Sequence, residues 1–145
     1  IGQCALLRVI PEHNTVFAVL LNSDSFFDVL GEVLRDFMQG LCAIDYPNPE
    51  PEASDIDLDK YCGQYQSLGQ EYTVFSKGDT LYCDTVIKTS GEEFEPWILK
   101  PINQQCFAAY LPSGERRFNI RFLFSPESKL PAYLFSFHRL NRRLP

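Results

Sequence analysis

Apolar residues follow three different patterns along the chain. Residues 3–10 (QCALLRVI) and 15–21 (TVFAVLL) are short runs that do not alternate, and Val16 to Leu21 put apolar side chains on both faces of an extended segment. Between them, Pro11-Glu12-His13-Asn14 has turn chemistry, with Asn14 able to take left-handed backbone. The pattern predicts a hairpin buried on both faces, as in the middle of a layered α/β structure. After it the period changes. Phe26, Phe27, Leu30, Val33, Leu34, Phe37, Met38 and Leu41 recur at helical spacing, while Asp28, Glu32, Arg35, Asp36 and Gln39 fall mostly opposite. Ser25 is placed to cap this helix, with Asp24 and Asp28 near its positive end. One helix covers one face of a two-stranded ribbon. The other face requires a partner that residues 1–42 do not contain.

The third pattern starts at Gly63. Turn signals recur at Ser67-Leu68-Gly69, Lys77-Gly78-Asp79, Thr89-Ser90-Gly91, Pro112-Ser113-Gly114 and Ser125-Pro126-Glu127, with a weaker break at Pro101-Ile102-Asn103. Between them Leu81, Cys83, Thr85 and Ile87 alternate with Tyr82, Asp84 and Val86. Phe118, Ile120, Phe122 and Phe124 alternate with Arg117, Asn119 and Arg121, and Tyr133, Phe135 and Phe137 alternate with smaller residues. This is a meander of about seven short antiparallel strands, entered by a helical turn at Asp57 to Tyr61 and able to close into a barrel or half-barrel. The fold class is α+β. The expected organisation is a hairpin and packing helix over 1–43, a linker over 44–55 and an antiparallel β domain over 56–145.

Charge sharpens the linker. The net charge of −6 comes from 19 acids against 13 Lys and Arg. Asp45, Glu50, Glu52, Asp55, Asp57 and Asp59 supply the whole excess in one stretch free of bases, where Pro47, Pro49 and Pro51 stiffen the chain. The rest is balanced, which excludes the clustered basic surface of a nucleic-acid binder. Arg139, Arg142 and Arg143 read as a solvated basic tail. No apolar run approaches a membrane span. The chain opens at Ile1, inside an apolar stretch and without an initiator Met, so a cut or incomplete chain is expected and targeting is unreadable.

Candidate chemistry is sparse. Five scattered cysteines, Cys4, Cys42, Cys62, Cys83 and Cys106, form no CxxC, which argues against a zinc site and a disulfide framework and slightly favours a cytoplasmic setting. Cys83 and Cys106 lie in strand patterns and read as buried thiols. His13 sits in a turn and His138 beside Arg139, so neither is placed to activate a nucleophile. No serine stands three before a lysine. Tyr46-Pro47-Asn48 and Lys88-Thr89-Ser90-Gly91 approximate hydrolase motifs, but lie in the linker and before a turn. No catalytic residue, metal ligand or cofactor is expected. Tyr72, Tyr82, Tyr110 and Arg121 are the polar points that a ligand inside the β domain would use.

Ile1-Gly2-Gln3, Leu7-Arg8-Val9-Ile10-Pro11-Glu12 and Val16-Phe17-Ala18-Val19-Leu20-Leu21-Asn22, followed by the amphipathic helix, resemble the end of serine β-lactamase-like hydrolases. These are relatives of class C enzymes and penicillin-binding proteins that include peptidases and esterases. Asp57-Leu58-Asp59-Lys60-Tyr61-Cys62-Gly63-Gln64-Tyr65 resembles the entry to the lipocalin-like C-terminal domain that some members carry. The family's Ser-x-x-Lys, Tyr-x-Asn and His-x-Gly motifs are absent, so no catalytic residue carries over. The resemblance implies a non-catalytic C-terminal portion of such a hydrolase, with the rest of that domain or a second copy as partner. Its β domain would shape or cover the active site, or join subunits. The alternative is a small-molecule-binding lipocalin-like module without enzymatic role.

Overall fold

The computed structural model describes residues 4–22, 26–43, 49–51, 56–136 and 139–145. They belong to two compact units, Ile1–Asn48 and Pro49–Pro145. Among the described residues the chain is mostly β with one helix.

The first unit is a ribbon and a helix. Strands β1 (Cys4–Ile10) and β2 (Thr15–Leu21) pair antiparallel, from Cys4 opposite Leu21 to Ile10 opposite Thr15. A 3-10 turn at Pro11–His13 joins them, and Asn14 takes the left-handed conformation (φ 48°) that the turn chemistry predicts. Helix α1 runs Phe26–Cys42; the expected cap residues Asp24 and Ser25 lie outside the described residues. Ile10, Phe17, Leu34, Met38 and Cys42 form its core, with Leu6, Val19 and Phe37 packed against them. The Phe17 and Phe37 rings lie 4.1 Å apart.

The opposite face of the ribbon, for which residues 1–42 contain no partner, is open. Leu7, Val9, Val16 and Leu20 are 66%, 55%, 63% and 81% exposed. Alternation in the backbone sends them away from the core face, and one helix can cover only one face. The hairpin and helix exist, but as a ribbon–helix pair. The structure supports the single helix and the barrel, and gives no support to the framing of these residues as the end of a β-lactamase-like α/β sheet domain.

The second unit is a closed barrel of eight strands rather than about seven. They are β3 (Gly63–Gln66), β4 (Gln70–Lys77), β5 (Thr80–Ile87), β6 (Glu92–Pro101), β7 (Cys106–Tyr110), β8 (Arg116–Phe124), β9 (Pro131–Ser136) and β10 (Arg139–Arg143). Each pairs with its chain neighbour, and β10 closes the ring against β3, with Arg142 opposite Gln66 and Arg143 opposite Tyr65. The eighth strand is the stretch that reads as a solvated basic tail. Its arginines disguise it, because alternation there serves Asn141, which is fully buried, rather than an apolar residue. His138 and Phe137 lie outside the described residues.

Tyr61, Tyr65, Tyr72, Phe107, Phe122, Leu81, Leu99, Ile120 and Leu134 are buried in the barrel at 2% exposure or less. Eight strands enclose a space that side chains can just fill. Tyr61, on a 3-10 turn over Asp59–Tyr61, plugs the lower end, with its ring 4.8 Å from Phe107 and 4.9 Å from Phe122. The phase of β9 is the reverse of that expected. Leu134 and Ser136 point inward, while Tyr133 is 41% exposed and Phe135 half-buried. Cys83 and Cys106 are buried free thiols, as read from the strand patterns.

Phe122→Ala should destabilise the barrel by about 3–5 kcal/mol, because its aromatic neighbours cannot collapse into the space left. Leu68→Ala, at a residue 98% exposed, should stay within about 0.5 kcal/mol of the parent. Denaturant midpoints of the two variants test both.

Candidate functional site

The lower end of the barrel carries its most constrained local chemistry. Arg143 Nη1 donates to the Lys60 carbonyl at 2.9 Å, and Nη2 donates to the Cys62 carbonyl at 2.5 Å. The guanidinium carbon lies 5.7 Å from the centroid of the Tyr65 ring. Gly63, with φ +149°, leaves room for this contact, since a Cβ there would stand 3.1 Å from Arg143 Nη2. Tyr65 Oη donates to the Tyr61 carbonyl at 2.8 Å, and Tyr61 Oη donates to the Gln104 carbonyl at 2.7 Å. The last strand therefore holds the segment that enters the barrel, and that segment holds the loop between β6 and β7.

Outside this plug lies an open depression of about 890 Å³, lined by Asp57, Lys60, Asn103, Gln104, Gln105, Phe124, Lys129 and Leu130. Lys60 Nζ sits 4.9 Å from the Tyr61 ring centroid and 5.7 Å from that of Phe124. Asp57 is used locally, accepting from the Asp59 amide at 3.2 Å. Nearby, Ser76 Oγ donates to Asp59 Oδ1 at 2.9 Å. The depression can take polar contacts at its rim. Among its lining residues no nucleophile stands beside a base. No cluster of three or more metal-ligating side chains occurs among the described residues.

The four polar points picked from sequence are not brought together. Tyr72 is in the interior, fully buried, and donates to Gln70 Oε1 at 3.0 Å. Tyr82 is on the outer surface, stacked on Phe75 with centroids 5.7 Å apart and Lys77 Nζ over the pair. Tyr110 lies half-buried under Lys100 Nζ, 4.6 Å from its ring. Arg121 is exposed on the outer face of β8, between the inward Ile120 and Phe122. Strand alternation separates the four, since odd and even positions point to opposite sides of a barrel wall.

Burial also sets the titration behaviour of the interior. It pushes the Cys83 thiol up to about 12, against a slight opposing effect of Thr85. It pushes the Tyr72 phenol up to about 12, with Ser136 and Arg139 pulling the other way. Ser136 Oγ is thus near Tyr72 but not in hydrogen-bond geometry with it. Tyr65 is raised further by burial, although Arg143 opposes the shift.

No family model matches the chain, and no curated protein matches it. Solved structures do. A crystal structure of SurE with D-Leu is 19% identical with a TM-score of 0.61, covering 99% of this chain and 33% of that one. A crystal structure of SurE is 21% identical with a TM-score of 0.58, covering 99% of this chain and 32% of that one. The chain thus spans about a third of the length of these proteins. At these identities the likeness establishes a shared fold and no activity.

These neighbours bear the name SurE and not that of a serine β-lactamase. The assignment to a β-lactamase-like or penicillin-binding-protein-like serine hydrolase, its lipocalin-like domain and the function drawn from it is corrected accordingly: neighbours of a different name share the fold, and the comparisons give that assignment no support. The physical reason is the generality of the matching residues. The first 42 residues match through aliphatic strand positions and a helical stripe, which report packing and not chemistry. In residues 57–65, Tyr61, Gly63 and Tyr65 are accounted for by plug and clamp. The Arg143 clamp escaped the sequence reading. Its signal is the pairing of a glycine two after a buried tyrosine with a distant arginine, which only barrel closure brings into contact.

Arg143→Lys removes the fork that reaches two carbonyls and should cost about 1.5–3 kcal/mol in chemical unfolding. Alkali offers a separate check. Cys83 and Tyr72 ionise less readily folded than unfolded, so the stability tied to their neutral forms is intact below their ordinary values of 9.0 and 10.0 and drains as pH rises toward about 12. The melting temperature should therefore fall above about pH 9, and Cys83→Ala should move the onset of that fall upward by about one pH unit.

Proposed function

We propose that this chain is a packing and contact portion of a longer polypeptide, acting through its surfaces rather than through a catalytic centre of its own. One observation carries the reading: the face of the ribbon opposite α1 presents Leu7, Val9, Val16 and Leu20 to solvent. A contiguous aliphatic face of this kind is the mark of a surface made to be covered. Each aliphatic side chain brought to full burial from full exposure contributes about 1.5–3 kcal/mol, so four half-exposed ones offer several kcal/mol to whatever covers them. Both strands also carry an unpaired edge among the described residues, since the sheet has only two strands.

The occupant we favour is an apolar layer from the rest of the polypeptide. The SurE structures support this, because chains about three times as long contain the same fold. A second copy of the chain is the competing occupant. The D-Leu in one neighbour's structure is not transferred here, given the 19% identity and the third of that chain that is covered. In this reading the barrel is a closed module that presents loops and the lower depression for contact.

The isolated chain should bind the dye ANS at the ribbon face. Leu7→Glu combined with Leu20→Glu should abolish most of that binding while leaving the barrel's unfolding midpoint unchanged. Light scattering then separates the occupants: a monomer favours the longer polypeptide, and a dimer abolished by the double substitution favours a second copy. A chain that neither binds dye nor self-associates, with the double variant no different, contradicts both.

A further inference from the structure

The upper end of the barrel differs from the aromatic lower end in a way that packing alone does not explain. Buried polar side chains line one continuous arc of the inner wall there. Ser136 on β9 is followed round the barrel by Asn141 on β10, Ser67 just past β3, Tyr72 on β4, Thr85 on β5 and Trp97 on β6. The strand register makes them neighbours in turn. Tyr72 is directly opposite Thr85, and Trp97 is opposite Cys83, which Thr85 approaches closely. Thr85, Ser136, Asn141 and Trp97 are 2%, 1%, 0% and 7% exposed. Ser67 Oγ, Thr85 Oγ1, Trp97 Nε1, Ser136 Oγ and Asn141 Oδ1 nevertheless have no protein partner in hydrogen-bond geometry, although Thr85 lies close to Cys83 and Ser136 close to Tyr72.

Native interiors tolerate few such groups, and a cluster at one end calls for a mediator. The chemistry of the set says what kind. Trp97 Nε1–H only donates. Asn141 Oδ1 only accepts, and its orientation is fixed because Nδ2 donates to the Leu134 carbonyl at 3.1 Å. The hydroxyls of Ser67, Thr85 and Ser136 do both. The donor Trp97 on β6 and the acceptor Asn141 on β10 stand four strands apart round the wall. The ionisable groups of the arc, Tyr72 and Cys83, stay neutral because burial disfavours their anions. Arg139 acts on Tyr72 through its charge and not as a hydrogen-bond partner.

We propose that the upper interior of the barrel is a built internal site for small neutral hydrogen-bonding molecules, held as ordered water that bridges Thr85, Ser136, Asn141 and Trp97. Water has the needed size and makes two to four bonds of either polarity. A charged guest has no counter-ion in the arc. This site is separate from the ribbon face and does not depend on the role given to that face.

Trp97 is the only tryptophan of the chain, so its indole N–H is a unique probe. Water-selective NMR on the unmodified protein should show a cross-peak between long-lived water and Trp97 Nε1–H. Thr85→Val, which keeps shape and removes the hydroxyl, should lower the unfolding midpoint and weaken that cross-peak. Ser136→Ala should do the same, and stands in if the valine variant fails to fold. A missing cross-peak in the parent overturns the proposal. So does a Thr85→Val or Ser136→Ala variant more stable than the parent, since relief of a dry, unsatisfied hydroxyl would have that sign.

Discussion

The barrel rests on the pairing of its last strand with its first. A sheet of this length has two edges until β10 meets β3, and closure removes both at once. Arg143 makes the junction specific. Its two N–H arms reach the Lys60 and Cys62 carbonyls, which belong to the segment just before β3. Hydrogen bonds from a charged donor to carbonyls out of full contact with water are among the stronger ones available to a protein. The same segment carries Tyr61 into the lower opening and Tyr65 into the core. One arginine near the C-terminal end thereby joins strand closure to the filling of the interior. The left-handed Gly63 is the concession in backbone that lets it approach.

The two units solve the burial problem differently. The barrel shelters its own apolar surface, with bulky aromatics at the lower end and a polar arc at the upper one. The ribbon shelters half of its own: Phe17 and Ile10 face the helix, while Leu7 and Leu20 face water. A curved, closed sheet has an inside, whereas a two-stranded ribbon has two outsides and one helix to cover them. The same aliphatic richness therefore produces a finished core in one unit and an unfinished face in the other.

Much of this architecture is legible from residue pattern. The hairpin, the helix and the alternation of Leu81, Cys83 and Thr85 or of Ile120 and Phe122 follow from periodicity and appear in the structure at those positions. The eighth strand is illegible because its inward residue is Asn141 and its neighbours are arginines. The phase of β9 is illegible because its bulkier residues, Tyr133 and Phe135, are the ones turned outward, while Leu134 and Ser136 are buried. The likeness of residues 1–42 and 57–65 to a hydrolase family carries little weight by itself, since aliphatic strands and a buried tyrosine turn are demanded by packing wherever such elements occur. Of the polar points proposed from sequence, Tyr72 lies within the upper arc, whereas Tyr82, Tyr110 and Arg121 face outward. The other members of the arc, Thr85, Ser136 and Asn141, are small polar residues that any strand pattern would pass over.

Native-state hydrogen exchange along β10 tests the closing role of that strand most directly. If the β10–β3 pairing holds the barrel shut, the amides bonded between Arg139–Arg143 and their partners should exchange only with global unfolding, at the same opening free energy as the centres of β4, β5 and β8. Opening of β10 at a clearly lower free energy than those strands would show a terminal strand that frays independently, and would contradict the account.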